Sequence, residues 1–330
     1  MSQMYGVAVR GTGSALPARV VPNAEFTDRY RLDTSDEWIR TRTGIRERRF
    51  VGPGETAATL GTAAARRALA AADLDPADLD LVVCGTVTPD MMCPSVGCLI
   101  QAALGCRPVP AFDVAAACSG FLYALSVATQ YITTGAARHA LVVGAEALSR
   151  ALDLTDRNSC ILFGDGAGAV VLSAAPDRAA GVRSVRLYSD GSRRGLIEVP
   201  SRVTPPAGPG EPPPEYVRIA GREVFRFAVT RMIELIHQAE ADARELGIPG
   251  FDALIPHQVN QRIIDSALET TGFPAAKVVM NLDRYGNTSA ASIPIALDEA
   301  RRSGRCKRGE TVLLVAFGGG LTWSSAIVTL

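Results

Sequence analysis

The sequence is poor in histidine and aromatic residues, and it has no excess of charge of either sign. Its 330 residues include three histidines and 6% aromatic residues, and 34 basic residues balance 34 acidic ones. A net charge of zero removes the usual electrostatic basis for binding nucleic acid or a membrane surface. No histidine stands at ligand spacing from a cysteine pair, so we expect no metal site.

Paired cysteines and long apolar runs are also missing. The seven cysteines form no CxxC motif, and their odd number argues against a disulfide framework. No stretch approaches the roughly 18 apolar residues that a membrane span needs. The N-terminus lacks the pattern of a signal peptide. These absences predict a soluble, cytoplasmic protein.

Apolar strand-like runs alternate with alanine-rich helical stretches along the chain. Typical strand candidates are ALVVGAEA, GAVVLSA and TVLLVAFG, and typical helix candidates are GFLYALSVATQYITTG and EVFRFAVTRMIELIHQAEADAREL. This order predicts an α/β protein whose buried sheets are covered by helices. The proline-rich segment SRVTPPAGPGEPPPEY (201–216) predicts an exposed loop.

Two segments of the chain resemble each other and indicate an internal duplication. DVAAACSGFLYAL…TTG and RYGNTSAASIP…RSG each contain a turn of small residues, a helix that ends in glycine and a following apolar strand. Alignment of Gly135 with Gly304, an offset of 169 residues, places Cys118 opposite Asn287. A second pair, LDLVVCGTVT and FDALIPHQVN, aligns Asp80 with Asp252 at an offset of 172. We therefore predict two related halves, 1–175 and 176–330.

Cys118 is the strongest candidate for a reactive residue. It follows an apolar strand-like segment and stands where a helix begins, and small residues flank it. The partial positive charge of a helix N-terminus favours a thiolate, which predicts a lowered pKa for this cysteine. The alternative is a small packed residue, which is the commonest role of a free cysteine.

Two neutral hydrogen-bond donors and a glycine-rich loop complete the candidate site. His257 follows a strand, where α/β proteins place functional residues. Asn287 lies in the turn that the repeat matches to Cys118, and the loop AFGGGLTW (316–323) offers free backbone amides for an oxyanion hole. His139 and His237 stand in a basic linker and on an amphipathic helix, so we expect both to be structural or solvated.

Three other motifs give weaker alternatives. GTGSAL (11–16) and GDGAGA (164–169) do not fit the dinucleotide fingerprint G-x-G-x-x-G. AACSG resembles a nucleophile elbow and suggests a cysteine α/β-hydrolase, which leaves the duplication unexplained. A papain-like Cys, His and Asn set would use histidine as a base on a different fold.

The motifs AAACSGF, PHQVNQRI and YGNTSAASIP, in this order, resemble those of β-ketoacyl-acyl-carrier-protein synthase III, a family of the thiolase superfamily. The likeness extends from SDEWIRTRTGIRERR to VAFGGGLTWSSA and so covers essentially the whole chain. It implies a thiolase-like αβαβα fold of five layers and a homodimer. It implies that acyl-CoA is a substrate and that no cofactor is permanently bound.

The resemblance also implies a reaction and the residues that carry it. Cys118 would take the acyl group from acyl-CoA, and malonyl on acyl carrier protein would then decarboxylate and condense with it. His257 and Asn287 would stabilise the enolate, and the amides of Cys118 and Gly319 would hold the oxyanion. The product would be a 3-oxoacyl thioester that starts fatty-acid or polyketide synthesis.

The same resemblance implies the substrate contacts. Trp38 and Arg157 would sandwich the adenine of CoA, Arg42 would reach its phosphates and Arg262 would meet the acidic carrier protein. Arg222 stands where relatives have asparagine near the pantetheine entrance, and Glu269 and Thr270 stand where some have lysine, which weakens the carrier-protein patch. Cys93, preceded by Met92, replaces a bulky phenylalanine that lines the partner's acyl pocket in acetyl-specific relatives. This predicts acyl groups longer than acetyl.

Other functions keep part of this pattern. A related acyltransferase could use an alcohol, an amine or a second acyl thioester as acceptor. A hydroxymethylglutaryl-CoA synthase would need a glutamate upstream of the cysteine, where CGTVTPDMMC offers only Asp90. A non-catalytic chain-length subunit would lack the nucleophile, which this chain has.

Overall fold

The computed structural model describes residues 5–201, 203–206 and 212–330. The strands are β1 (Gly6–Ala15), β2 (Arg19–Pro22), β3 (Glu47–Phe50), β4 (Leu81–Gly85), β5 (Ala111–Val114), β6 (His139–Glu146), β7 (Gly166–Ala175), β8 (Gly181–Ser189), β9 (Ile197–Glu198), β10 (Arg218–Ile219), β11 (Ala253–Pro256), β12 (Thr311–Gly318) and β13 (Thr322–Thr329). The helices are α1 (Asn23–Asp28), α2 (Asp36–Thr43), α3 (Ala57–Ala72), α4 (Val96–Leu104), α5 (Gly120–Thr133), α6 (Gly221–Glu245), α7 (Gln261–Thr271), α8 (Leu282–Tyr285) and α9 (Ser292–Arg302).

The predicted helices form, and local sequence explains where they begin and end. Thr56 and Thr59 make a reciprocal capping box at the start of α3, and Asn260 caps α7 by accepting from the Arg262 amide. Gly272 ends α7 in the left-handed conformation. The segment 201–216 has no helix or strand among its described residues, while positions 202 and 207–211 lie outside them.

Nine strands form one mixed sheet among the described residues. From its centre outward, the two sides of the sheet have the same pattern of antiparallel and parallel pairs. The order is β11-β12-β13-β8-β1-β7-β6-β4-β5. On one side β1 and β7, then β7 and β6, pair antiparallel, and β6 and β4 pair parallel. On the other side β8 and β13, then β13 and β12, pair antiparallel, and β12 and β11 pair parallel. The two sides meet at one parallel pair, Val7 with Gly181.

Three apolar clusters show how helices cover this sheet. Helices α3 and α4 pack on the outer face of β4, β6 and β7, and α6 and α7 pack on the outer face of β11 to β13. Helices α5 and α9 share one cluster with strands from both sides of the sheet, so they lie between them. The two sides of the sheet thus form separate layers, and the resulting order of helix, sheet, helix, sheet, helix confirms the predicted thiolase-like layering.

The two central helices begin from matching turns, and one detail of the predicted alignment is wrong. Each turn is a short 3-10 segment, Ala117–Ser119 before α5 and Ser289–Ala291 before α9. Its first residue is left-handed in both, with φ of 46° at Ala117 and 49° at Ser289. Cys118 therefore matches Ala290 rather than Asn287. The offset of 169 fails here because α5 has 14 residues and α9 has 11.

Glycines allow these turns to press directly on the strands. A Cβ on Gly85 of β4 would lie 2.5 Å from the carbonyl carbon of Gly120, and a Cβ on Gly144 of β6 would lie 2.3 Å from the Ala290 carbonyl oxygen. Backbone thus meets backbone at both positions, and only glycine fits. These contacts set the depth at which Cys118 and its neighbours sit.

Candidate active site

Cys118, His257 and Asn287 meet at one apolar cavity. The cavity holds about 980 Å³ including its opening, and all three side chains line it together with Ser289. Most of the other lining residues are apolar and come from β9, β10 and α6 or from adjoining loops. They include Val87, Leu148, Ile197, Val199, Val217, Ile219, Val224, Phe225 and Phe227. The structure thus brings the predicted catalytic residues together in a largely apolar site, in which His257 and Asn287 are buried.

Cys118 lies on the one-turn segment that leads into α5, and it is half-buried. Burial raises the pKa of its thiol to about 12, and the Ser289 hydroxyl acts against this rise. No positively charged side chain among the described residues pairs with it. The pKa of this thiol is therefore raised, and the prediction of a lowered pKa is wrong. The reason is that an apolar cavity disfavours the thiolate more than the helix N-terminus favours it.

His257 follows β11 and is held from one side of its ring. Its Nδ1 lies 2.7 Å from Ser292 Oγ, and its edge packs against Phe317 with ring centroids 5.8 Å apart. Its buried Nε2 has no hydrogen-bond partner among the described residues. Burial lowers the pKa of the imidazole to about 3, so the ring is neutral near pH 7. The site thus contains a neutral histidine with one free nitrogen.

Asn287 is fixed by the backbone around it. Its amide donates to the Leu162 carbonyl at 2.9 Å, and its own carbonyl accepts from the Gly164 amide at 3.0 Å. Its side-chain oxygen accepts from the Ser289 amide at 2.8 Å, which leaves the NH₂ group for the cavity. A Cβ on Gly164 would lie 2.2 Å from the Tyr285 carbonyl oxygen. The GDGAGA motif is therefore a structural turn that supports Asn287.

The glycine-rich loop packs on the backbone of the cysteine. Gly318 ends β12 and lines the cavity, and a Cβ there would lie 2.6 Å from the Cys118 nitrogen. A Cβ on Gly319 would meet nothing closer than 3.4 Å. The Thr322 hydroxyl donates to the Ala116 carbonyl at 2.9 Å and ties the start of β13 to the cysteine turn. Gly318 is the residue of this loop that sequence reasoning missed.

We predict that Gly318→Ala lowers the rate of Cys118 modification by an acyl donor at least tenfold, because overpacking must displace the cysteine backbone. Gly319→Ala is the matched control, since it has room for a methyl group and keeps the same amide. Adduct formation measured by mass spectrometry checks both variants. Equal slowing of the two would contradict the steric explanation.

A wide mouth rich in arginine opens into the cavity. Its lining shares Leu162, Gly221, Phe225 and Asn260 with the inner cavity, so the two spaces are continuous. The mouth also contains Trp38 and five arginines: Arg42, Arg157, Arg222, Arg226 and Arg262. The predicted substrate contacts are thus collected at one entrance, and Arg226 joins them. This arrangement suits a negatively charged ligand.

Within the mouth, two guanidinium groups face the ring of Trp38. The Arg42 carbon Cζ lies 4.8 Å from the ring centroid, and that of Arg157 lies 5.1 Å away. Arg157 also donates to the Asp33 carbonyl. Arg262 lies 5.9 Å from the ring of Phe225. In this state Arg157 lies against the indole, so an adenine held between them would have to displace it.

Cys93 and Met92 do not line the cavity of their own chain. Met92 is 74% exposed and Cys93 is exposed, on the loop before α4. A contribution of these residues to a second copy of the chain stays a prediction. The acyl-sized space in this chain is formed instead by aliphatic residues of β9, β10 and neighbouring loops, which sequence reasoning missed.

The other candidate residues have structural surroundings. His139 in β6 lies 2.8 Å from Ser173 Oγ, and His237 is exposed on α6. Asp90 accepts from the Ala58 amide at the start of α3. The described part of the chain holds no cluster of metal-ligating side chains, and none of its helices has the length and apolarity of a membrane span.

Family models and similar proteins match this chain along its length. Residues 112–191 match the 3-oxoacyl-[acyl-carrier-protein] synthase III model, and residues 241–330 match the model of its C-terminal part. A β-ketoacyl-[acyl-carrier-protein] synthase III of Sphingopyxis alaskensis is 51% identical over 323 residues, 97% of this chain and 98% of that one.

Solved structures agree with the sequence matches. The 3-oxoacyl-[acyl-carrier-protein] synthase III of Aquifex aeolicus superposes with a TM-score of 0.89 at 43% identity, covering 98% of this chain and 100% of that chain. The priming β-ketosynthase of the R1128 polyketide pathway superposes with a TM-score of 0.88 at 37% identity, covering 100% and 98%. The chain belongs to the 3-oxoacyl-[acyl-carrier-protein] synthase III family.

Proposed function

We propose that this protein is a condensing acyltransferase that joins an acyl group from acyl-CoA to malonyl held on acyl carrier protein. The observation that carries the proposal is the convergence of a thiol, a neutral imidazole and a free amide at the inner end of one apolar cavity. A nucleophile beside neutral donors suits transfer of an acyl group followed by stabilisation of an enolate.

In the first step Cys118 takes the acyl group. Its sulfur attacks the thioester carbonyl, and the amides of Cys118 and Gly319 hold the oxyanion. Collapse of the tetrahedral intermediate breaks the bond to the CoA sulfur and leaves an acyl-cysteine. The aliphatic wall of Val87, Leu148, Val199, Val217 and Ile219 provides an apolar environment for the acyl chain.

In the second step malonyl loses CO₂, and the carbanion attacks the acyl-cysteine carbonyl. When Ser292 donates to His257 Nδ1, the proton of the neutral ring is on Nε2, the nitrogen without a partner. That N–H and the Asn287 NH₂ group donate to the enolate oxygen. Both donors are neutral, so they favour the developing negative charge without needing a proton transfer.

The arginine mouth is proposed to bind the substrates. Trp38 and Arg157 stack on the adenine, Arg42 contacts the phosphates and Arg262 belongs to the face that meets the acidic carrier protein. Glu269 and Thr270 on the outer part of α7 weaken that face, so carrier-protein affinity depends on the arginines nearest the mouth.

We further propose that the protein is a cytoplasmic homodimer, and that each chain consists of two related halves, 1–175 and 176–330. The edge strand β5 is only half-buried and Ala115 after it is exposed, which supports a second copy at this edge and next to the Cys93 loop.

One hydrogen bond is repeated in the two proposed halves of the chain. Asp80 accepts from the amide of His139 at the start of β6, and Asp252 accepts from the amide of Thr311 at the start of β12.

The product of the reaction tests this function. Purified protein is incubated with acyl-CoAs of increasing length, with malonyl offered on CoA and on carrier protein. We expect 3-oxoacyl products from acyl groups longer than acetyl, because Cys93 replaces a bulky side chain. A strict acetyl preference would contradict the pocket prediction. Esters, amides or joined acyl chains without decarboxylation would favour another acceptor.

We predict that Trp38→Ala raises KM for acyl-CoA about tenfold, because loss of one base–aromatic stack costs on the order of 1–3 kcal/mol. The matched control changes the substrate instead of the protein. An acyl-pantetheine lacks adenine, so its KM should be the same in the variant and the parent chain. Steady-state kinetics with both donors checks this, and an equal rise for both would place the tryptophan elsewhere in binding.

A further inference from the structure

A buried carboxylate stands next to the cysteine turn and has no part in the reaction as described. Glu146 ends β6 and is fully buried. It accepts from Thr88 Oγ1 at 2.5 Å, from the Val87 amide at 3.2 Å and from Ser289 Oγ at 3.0 Å. Thr86 Oγ1 lies 3.3 Å from the same group. A buried acid with this many donors is held in one position.

Ser289 connects this carboxylate to the catalytic cavity. It lines the cavity together with Cys118, and its hydroxyl acts against the rise in the pKa of that thiol. In the resting structure that hydroxyl donates to Glu146. A hydroxyl has one proton and two lone pairs, so it can accept a proton from one side while it gives its own to the other.

Other acceptors for the thiol proton are missing from the described surroundings of Cys118. His257 forms no hydrogen bond with the sulfur, its Nδ1 is engaged by Ser292 and burial keeps its pKa near 3. No lysine or arginine side chain pairs with the thiol. A thiol in so apolar a site needs a route for its proton before it can attack a thioester.

We propose that Glu146 accepts the proton of Cys118 through the Ser289 hydroxyl when the acyl group is transferred to the sulfur. The thiol proton passes to Ser289 Oγ as the Ser289 proton passes to Glu146, and the thiolate then attacks the thioester carbon. The new C–S bond forms and the bond to the leaving thiolate breaks. The Ser289 hydroxyl then gives a proton to the leaving thiolate while Glu146 returns its proton to Ser289, so the charges and protons balance.

The charge environment supports this role for Glu146. Burial raises the pKa of its carboxyl to about 7, and the hydroxyls and the Val87 amide oppose that rise. The charge of Glu146 acts on two thiols, Cys118 across Ser289 and Cys84 in β4, and the carboxylates of Asp113 and Asp90 act on Cys84 as well. No cation pairs with Glu146 among the described residues, so the carboxyl can take up a proton near neutral pH.

The pH dependence of Cys118 alkylation tests the proposal. Iodoacetamide is used on the full chain, and modification is followed on the peptide that contains Cys118 by mass spectrometry. The proposal rests on the function given above, but this probe needs no acyl donor. Failure of the relay and failure of the proposed function are therefore distinguishable.

In the parent chain we expect the alkylation rate to rise through about pH 7 and then level off, because ionisation of Glu146, whose pKa burial raises to about 7, supplies the base that takes the thiol proton. Glu146→Gln keeps the shape but cannot take the proton, so the inflection should vanish and the rate at pH 8 should fall at least tenfold. With acyl-CoA, the acylation rate should fall about 100-fold.

Ser289→Ala removes the connection and leaves Glu146 in place. Alanine tolerates the left-handed backbone there, as Ala117 does in the matching turn. This variant should also lose the inflection, and it decides the question if Glu146→Gln does not fold. Asp165→Asn is the control, because that buried acid, whose pKa burial raises to about 6, bonds Ser149 and the Val51 amide outside the cavity.

Asp165→Asn should keep the inflection near pH 7. An unchanged inflection in both Glu146→Gln and Ser289→Ala would overturn the proposal. An inflection that persists in Glu146→Gln but is lost in His257→Ala would place the proton on the imidazole and overturn it as well.

Discussion

Cys118→Ala is expected to abolish the acyl adduct and to lower product formation at least about 1000-fold, because the other side chains of the cavity that could act as nucleophiles, Ser289 and His257, are held in hydrogen bonds to Glu146 and Ser292. The adduct is measured by intact-protein mass spectrometry after incubation with acyl-CoA. The cavity should remain, since the substitution removes a single sulfur atom from a half-buried position.

Cys106→Ala provides the matched control for this prediction. Cys106 is half-buried like Cys118 but lies after α4, away from the cavity. Its variant should form the adduct at the parent rate. An adduct that survives in Cys118→Ala, or disappears in Cys106→Ala, would identify a different nucleophile and contradict the proposed reaction.

His257→Ala and Asn287→Ala are expected to separate the two half-reactions. Each variant should still form the acyl-cysteine, while decarboxylation and condensation fall by about 100- to 1000-fold, as for loss of one oxyanion donor. Stopped incubations that quantify adduct and released CO₂ separately check this. Because burial lowers the pKa of His257 to about 3, the ring stays neutral between pH 5 and 9. Protonation of this histidine should therefore not change the rate of the condensing step in that range.

His139→Ala is a close control for the histidine variant. Its Nδ1 also meets a serine hydroxyl, Ser173 Oγ at 2.8 Å, but it lies in β6 away from the cavity. It should retain both half-reactions. If His257→Ala lost adduct formation as strongly as condensation, the imidazole would act on the thiol, and its assignment as an enolate donor would be wrong.

The sequence predicted the order of the elements because local signals agree with the global fold. The apolar runs of β4, β6 and β12 and the alanine-rich face of α3 need no long-range information to be recognised. It also pointed to Cys118, His257 and Asn287, because Cys118 and His257 come after strands and Asn287 lies in a turn of small residues like that at Cys118. These are the positions at which α/β folds present functional side chains.

What the sequence did not predict depends on packing between distant segments. The raised pKa of the Cys118 thiol follows from the apolar cavity, whose aliphatic wall comes from residues about 30 to 110 positions away. Glu146 looked like the end of an ordinary strand, and only the fold places it against Ser289, 143 residues later. The true match of Cys118 with Ala290 required the left-handed turn residues to be seen.

The glycine contacts that press both central turns onto their strands have a consequence for how this enzyme can change over evolutionary time. At Gly85 and Gly144 backbone meets backbone, so no side chain there can be enlarged or reduced to move the reacting groups. Ile197 of β9 and Ile219 of β10 instead line the cavity with side chains, whose size can change. New substrate ranges should therefore arise by substitution in this outer wall, while the chemistry at the centre is inherited unchanged.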